Sequence, residues 1–127
     1  MNKTSEDYIK NIYLLKRKKE RLHSVDIAHE LGVSRASVSR AMTNLRRENI
    51  IIMKEDGEIE FTIKGQKIAE VLFDRYTTLC GFLQDVAGVD EKTAKEDAFK
   101  IEHHISDVTY AGIKQFILEH PELASGL

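Results

Sequence analysis

A carboxylate and two imidazoles stand side by side as Glu102, His103 and His104 in the stretch AFKIEHHIS, residues 98–106. Carboxylate oxygens and imidazole nitrogens are donors that hold divalent transition metals, so this triplet poses the question of a metal-sensing site. A second chemically able group lies earlier, at Ser34, Arg35, Ala36, Ser37, Ser39 and Arg40. Serine hydroxyls at a helix start suit phosphate oxygens, and an arginine guanidinium can fork onto the edge of guanine. One stretch offers metal ligands; the other offers donors for DNA.

Both groups need helices to place them. In TSEDYI, Thr4 can cap a first helix with Asp7 at its third position, and Tyr8, Ile9, Ile12, Tyr13 and Leu15 follow at helical spacing. Lys16, Arg17, Lys18 and Lys19 sit at the end of that helix that favours cations. Ser24 is expected to cap a second helix carrying Val25, Ile27, Ala28 and Leu31, with Gly32 ending it in a left-handed turn. Ser34 then starts a third helix held down by Val38, Met42 and Leu45. A small residue at Ala28, a glycine four residues on and an immediate restart form the pattern of a helix-turn-helix. The alternative is an ordinary helical hairpin.

The run IIIMKEDGEIEF reads as a β-hairpin turning at Asp56-Gly57, which makes a winged helix. Its tip is acidic, so insertion into a minor groove is not expected. From about Thr62 a long helix runs to near Gly88, and Asp90 caps a helix that takes in EHH. Ser106 caps a last helix, closed by Pro121. The predicted class is mostly α: a winged helix-turn-helix over 1–62, then an all-helical domain over 63–127.

Composition bounds the function. A chain of 127 residues, 42% hydrophobic and 31% charged, can build one modest core or two small lobes. No apolar run approaches the roughly 20 residues of a membrane span, and no signal peptide is expected. The single Cys80 excludes an intramolecular disulfide, so a reducing cytoplasm is the simplest setting. The net charge of −2 is divided unevenly: residues 1–61 carry 12 basic and 10 acidic side chains, residues 62–127 carry 7 and 11. A slightly basic front and an acidic back point to two jobs.

Within the third helix, Arg40 is the best placed for a base contact, with Ser37 and Ser39 on phosphate and Arg35 as a second candidate for guanine. Arg46 and Arg47 lie too far along for bases, and suit phosphates or the solvated face. The long helix has surplus apolar residues, among them Leu72, Leu79, Phe82 and Leu83, which points to a symmetric dimer with two reading helices about one DNA turn, or a multiple of it, apart. The alternative is that the last two helices cover them within one chain.

Taken in order, EDYIKNIYLL, DIAHELGVSRASVSRAM, TIKGQKIAEVL and IEHHIS resemble the diphtheria toxin repressor family, most closely its short branch, the manganese transport regulators. The resemblance covers nearly the whole chain. It implies a homodimeric repressor of metal-homeostasis genes, bound to a palindromic operator, with manganese or iron as corepressor. The SH3-like domain of longer members is not expected, because the chain stops at Leu127.

Carried over position by position, the family's metal ligands fall on Asp7, Glu102 and His103. The second ligand position of the first helix holds Lys10, the histidine position of the long helix holds Tyr76, and the position one turn before Glu102 holds Phe99. A further family site falls on Tyr76, Cys80 and Lys95. Three readings stay open. A metal binds through a revised set that draws in Cys80 or His104, which would suit zinc. The site is metal-independent, with Lys10 as a metal-substituting cation between carboxylates. Or Asp7 is a capping residue and Glu102, His103 and His104 are half-exposed surface groups.

Other classes fit less well. No nucleophile–base set, phosphate-cradling loop or His-Glu-x-x-His motif supports an enzyme. A winged-helix protein-interaction module, or a regulator that answers to a small molecule, are the remaining alternatives. Salt dependence separates the first from a DNA binder, since phosphate contacts release counterions.

Overall fold

Asn2, rather than Thr4, opens the first helix. In the computed structural model, which describes residues 1–123, α1 runs Lys3–Lys18 and the Asn2 side chain accepts from the Ser5 N–H at 2.8 Å. A polar residue two positions earlier satisfies the same orphan donors, so the helix starts sooner than Thr4 would allow. α2 (Ser24–Leu31) is likewise capped one residue early, at His23, whose N–H donates to the Asp26 carboxylate at 2.8 Å. Residues 124–127, the end of the expected second domain, lie outside the described residues.

Gly32 ends α2 at φ +64° with open space where a Cβ would go, so glycine is needed there for its dihedral alone. α3 (Arg35–Arg47) follows at once, with the Ser34 hydroxyl accepting from the Ser37 N–H at 3.0 Å. A cap of this kind contributes about 1 kcal/mol. The hairpin pairs β1 (Ile51–Met53) with β2 (Ile59–Phe61), Ile52 opposite Glu60, around Gly57 at φ +87°. α4 spans Ile63–Asp85, α5 Glu91–Ile101 and α6 Asp107–Glu119, and a 3-10 turn covers Pro121–Leu123. The fold is a helix-turn-helix with a hairpin wing, followed by a helical region.

The chain divides into two compact units, Met1–Leu72 and Phe73–Leu127. The first includes the opening turns of α4, for a packing reason. A Cβ on Gly65 would stand 1.9 Å from the Ile50 carbonyl oxygen, so only glycine lets α4 start this close under the hairpin. Thr62 clasps the same spot, its hydroxyl donating to the Asn49 carbonyl at 2.6 Å and accepting from the Gly65 N–H at 3.0 Å. Ile9, Ile12, Leu22, Ile27, Met42, Leu45 and Ile59 close a continuous core, to which Ala69 and Leu72 belong. Each fully buried large aliphatic contributes about 1.5–3 kcal/mol relative to exposure.

The second unit is held differently. Its buried residues include Leu79, Ala94, Ala98 and Ile117, two of them small. Polar clamps join α4 to α6: Asp74 accepts from the Tyr110 hydroxyl at 2.6 Å and from Lys114 at 2.7 Å, and Arg75 reaches Asp107 and the Ile105 carbonyl. Phe116 stacks on His120 and meets Phe82 edge-on. No helix of the described residues is long and apolar enough to cross a membrane.

Candidate nucleic-acid interface and metal-sensing residues

α3 is two-faced. Val38, Met42 and Leu45 are sealed in the core, while Ser34, Arg35, Ala36, Ser39 and Arg40 are exposed. The spacing forces this division, because residues at i, i+4 and i+7 share one side of a helix and the intervening positions face away. Arg35 and Ser39 line a depression with Ser24 and Val25 at the start of α2. Ser37 is half-buried and its hydroxyl is already engaged, lying 2.9 Å from the Ser34 hydroxyl and accepting from Arg40 at 3.4 Å. Its local task is to hold the helix start and the Arg40 guanidinium. Arg46 is exposed at the far end, and Arg47 donates to the Asn44 side chain at 3.3 Å.

The wing is a lattice of ion pairs. Arg21 pairs with Asp56 and donates to Glu58 at 3.2 Å, while Lys54 meets Glu60 at 3.1 Å and Glu58 at 3.8 Å. The Glu58 N–H, donating to Asp56, holds that carboxyl below its usual range, and Arg21 adds to the effect. Lys54 does the same for Glu60. The acidic tip read from sequence is therefore largely compensated. Arg21 could not be foreseen as a partner, because the Ile59 N–H bond to the Leu22 carbonyl that seats residues 21–22 beside β2 joins positions far apart in the chain.

The metal-position residues fall into both units. On α1, Asp7 lies one turn before Lys10, whose ammonium is 3.7 Å from the Asp7 Oδ1 and 1% exposed. In the second unit, Glu102, His103 and His104 are not helical as expected. α5 ends at Ile101, and the triplet forms a turn closed by the His104 N–H on the Ile101 carbonyl at 2.8 Å. Glu102 is buried, with its Oε2 3.5 Å from the His103 Nδ1, and His104 is exposed.

The further family position holds no carboxylate or imidazole. Tyr76 packs edge-on against Phe99 with ring centroids 5.7 Å apart, and burial pushes its phenol far above the ordinary value. Burial also raises the Cys80 thiol. Lys95 is a cation paired with Glu91 at 2.9 Å. A phenol, a thiol and an ammonium paired with a carboxylate are not the carboxylate and imidazole donors that suit manganese or iron.

Leu72 and Leu79, at 8% and 2% exposure, belong to the chain's own interior and offer no area to a partner; Phe82 and Leu83 are half-buried. Sequence reading missed the apolar residues most open to solvent on α6, Val108 and Leu118 at 83% and 67%. The signal that could have found them is that Val108, Ala111, Gln115 and Leu118 recur at helical spacing on one exposed face.

A winged helix-turn-helix followed by a helical region defines the class, a DNA-binding transcriptional regulator. Residues 1–59 match the iron-dependent repressor N-terminal DNA binding domain, and residues 62–124 match the iron-dependent repressor metal binding and dimerisation domain. The chain is 31% identical over 118 residues to an uncharacterized HTH-type transcriptional regulator of Methanocaldococcus jannaschii, covering 92% of this chain and 94% of that one. It is similar in structure to the manganese regulator SloR, with 28% identity, a TM-score of 0.78 and coverage of 90% of this chain and 53% of that one. The IdeR of T. acidophilum gives 26% identity, a TM-score of 0.78 and coverage of 91% and 53%. The chain thus spans about half the length of these solved relatives. It belongs to the iron-dependent repressor family, whose members are transcriptional repressors.

Proposed function

We propose that this chain is a homodimeric, sequence-specific transcriptional repressor that lays α3 in the major groove of a palindromic operator. The observation that carries this is the exposed polar face of α3, which presents two arginines and short side chains directly after a capped N-terminus. Ser34 and Ala36 let the backbone approach, Arg40 contacts a base, Ser39 contacts phosphate and Arg35 serves either role. Residues 1–62 form the reading domain, and residues 63–127 the dimerisation and sensing domain. The half-buried Phe82 and Leu83 and the exposed α6 face supply the apolar area a second copy would cover.

Kinship with the manganese regulator supports metal-homeostasis genes as the regulated targets. The test is selection of duplexes from a random library, followed by titration of the selected duplex at two salt concentrations. A palindrome should emerge, and raising salt fourfold should weaken binding by about a thousandfold or more if six or more phosphates are contacted. No enrichment, or an affinity indifferent to salt, would end this reading.

A further inference from the structure

We propose that Lys10 is a built-in cation standing in for a divalent corepressor, so that operator binding requires no added metal. The proposal rests on the DNA-reading function above and concerns its regulation. Lys10 is among the largest fully buried side chains of the described residues. An ammonium leaves water only where carboxylates compensate it. Asp7 does so at 3.7 Å, and Glu6, four residues before Lys10, shares the same side of α1. The first helix thus carries, as part of its own covalent structure, a positive charge set against its carboxylate.

That charge also works against an ion. A divalent cation seated on Asp7 would stand within a few ångströms of the ammonium, in a place where burial weakens screening. The second unit supports the same reading through separate residues. At the corresponding positions it holds the Tyr76–Phe99 ring pair, the half-buried Cys80 and the Lys95 ammonium paired with Glu91. Tyr76, Phe99 and Lys95 offer an ion no carboxylate or imidazole, and α1 carries a buried cation.

The experiment measures operator affinity of the full chain after chelator treatment and with added Mn2+, Fe2+ or Zn2+, for the wild type, Lys10→Arg, Lys10→Met and Lys10→Glu. Wild type and Lys10→Arg should bind equally, within about twofold, in all conditions. Lys10→Met should lose affinity tenfold or more in chelator, and Lys10→Glu should lose as much and regain it with one of the metals. Tighter wild-type binding by tenfold or more with any metal overturns the proposal and leaves the DNA function intact. So does Lys10→Met binding as wild type does in chelator. Should a Lys10 variant fail to fold, the wild-type comparison still decides. Failure of the wild type to bind any duplex in any condition overturns the DNA function and this proposal with it.

Discussion

The two units solve the problem of stability in opposite ways. In the first, large aliphatic side chains from four helices and both strands close on one another, ion pairs cover the hairpin, and the Lys10 ammonium is buried on α1. In the second, the interior includes two alanines, and α4 and α6 are joined by Asp74, Arg75, Tyr110 and Lys114 while Val108 and Leu118 face solvent. Exposed pairs of this kind contribute about 0–1 kcal/mol each, against about 1.5–3 kcal/mol for each buried large aliphatic. A reading head needs a fixed shape whether or not it is assembled. A dimerising region can leave part of its stability to be completed by a partner.

The contrast is sharpest in truncation. Ile27→Ala should cost about 2–5 kcal/mol in urea unfolding, because the site is sealed and cannot collapse around the void. Leu118→Ala should stay within about 0.5 kcal/mol for the unfolding of the monomer. Equal losses at the two positions would erase the distinction. Gly65→Ala comes next, at about 1–3 kcal/mol lost, since the added Cβ meets backbone rather than a flexible side chain. Helix propensity alone predicts the opposite sign, a gain of about 1 kcal/mol. A higher melting temperature for this variant would show that α4 does not press on Ile50 as described.

Leu118→Glu tests assembly. By sedimentation at several concentrations it should weaken the dimer tenfold or more while leaving the far-ultraviolet spectrum unchanged; an unaltered dimer would place the interface elsewhere. The smallest effect concerns Asp74. The Lys114 and Tyr110 hydrogen bonds hold its carboxyl below the usual range, so the stability it contributes is present above about pH 4 and is lost as pH falls through the lowered folded-state value. Asp74→Asn should therefore cost about 0.5 kcal/mol at pH 7, a figure already discounted for exposure, and should converge with the wild type in acid. A difference that persisted at low pH would assign the effect to packing.

What the sequence made legible was local chemistry. Gly32, Ser34, Asp56-Gly57, Asp90 and Ser106 each act on neighbours within a few residues, and each terminus or turn stands where they place it. Thr4 and Ser24 misled because Asn2 and His23, one or two residues upstream, could also serve as the cap, and propensity does not rank two such neighbours. Glu102, His103 and His104 continue an apolar period that nothing in their types interrupts, yet α5 stops before them. The Arg21 pairs, the Gly65 contact and the burial of Leu72, Leu79 and Lys10 depend on distant segments or on the whole folded chain, which periodicity does not encode. For the candidate site, residue types were readable; the state of the Tyr76 phenol and Cys80 thiol was not, since burial sets both.

The clasp of Thr62 and Gly65 on Asn49 and Ile50 makes a joint without slack. Asn49 itself is fixed at φ +60°, the single non-glycine residue in that region among those described. Torque applied to the opening turn of α4 is therefore handed straight to the trailing end of α3, as by a key in a shaft. A loop at that point would absorb the turn; this joint conveys it.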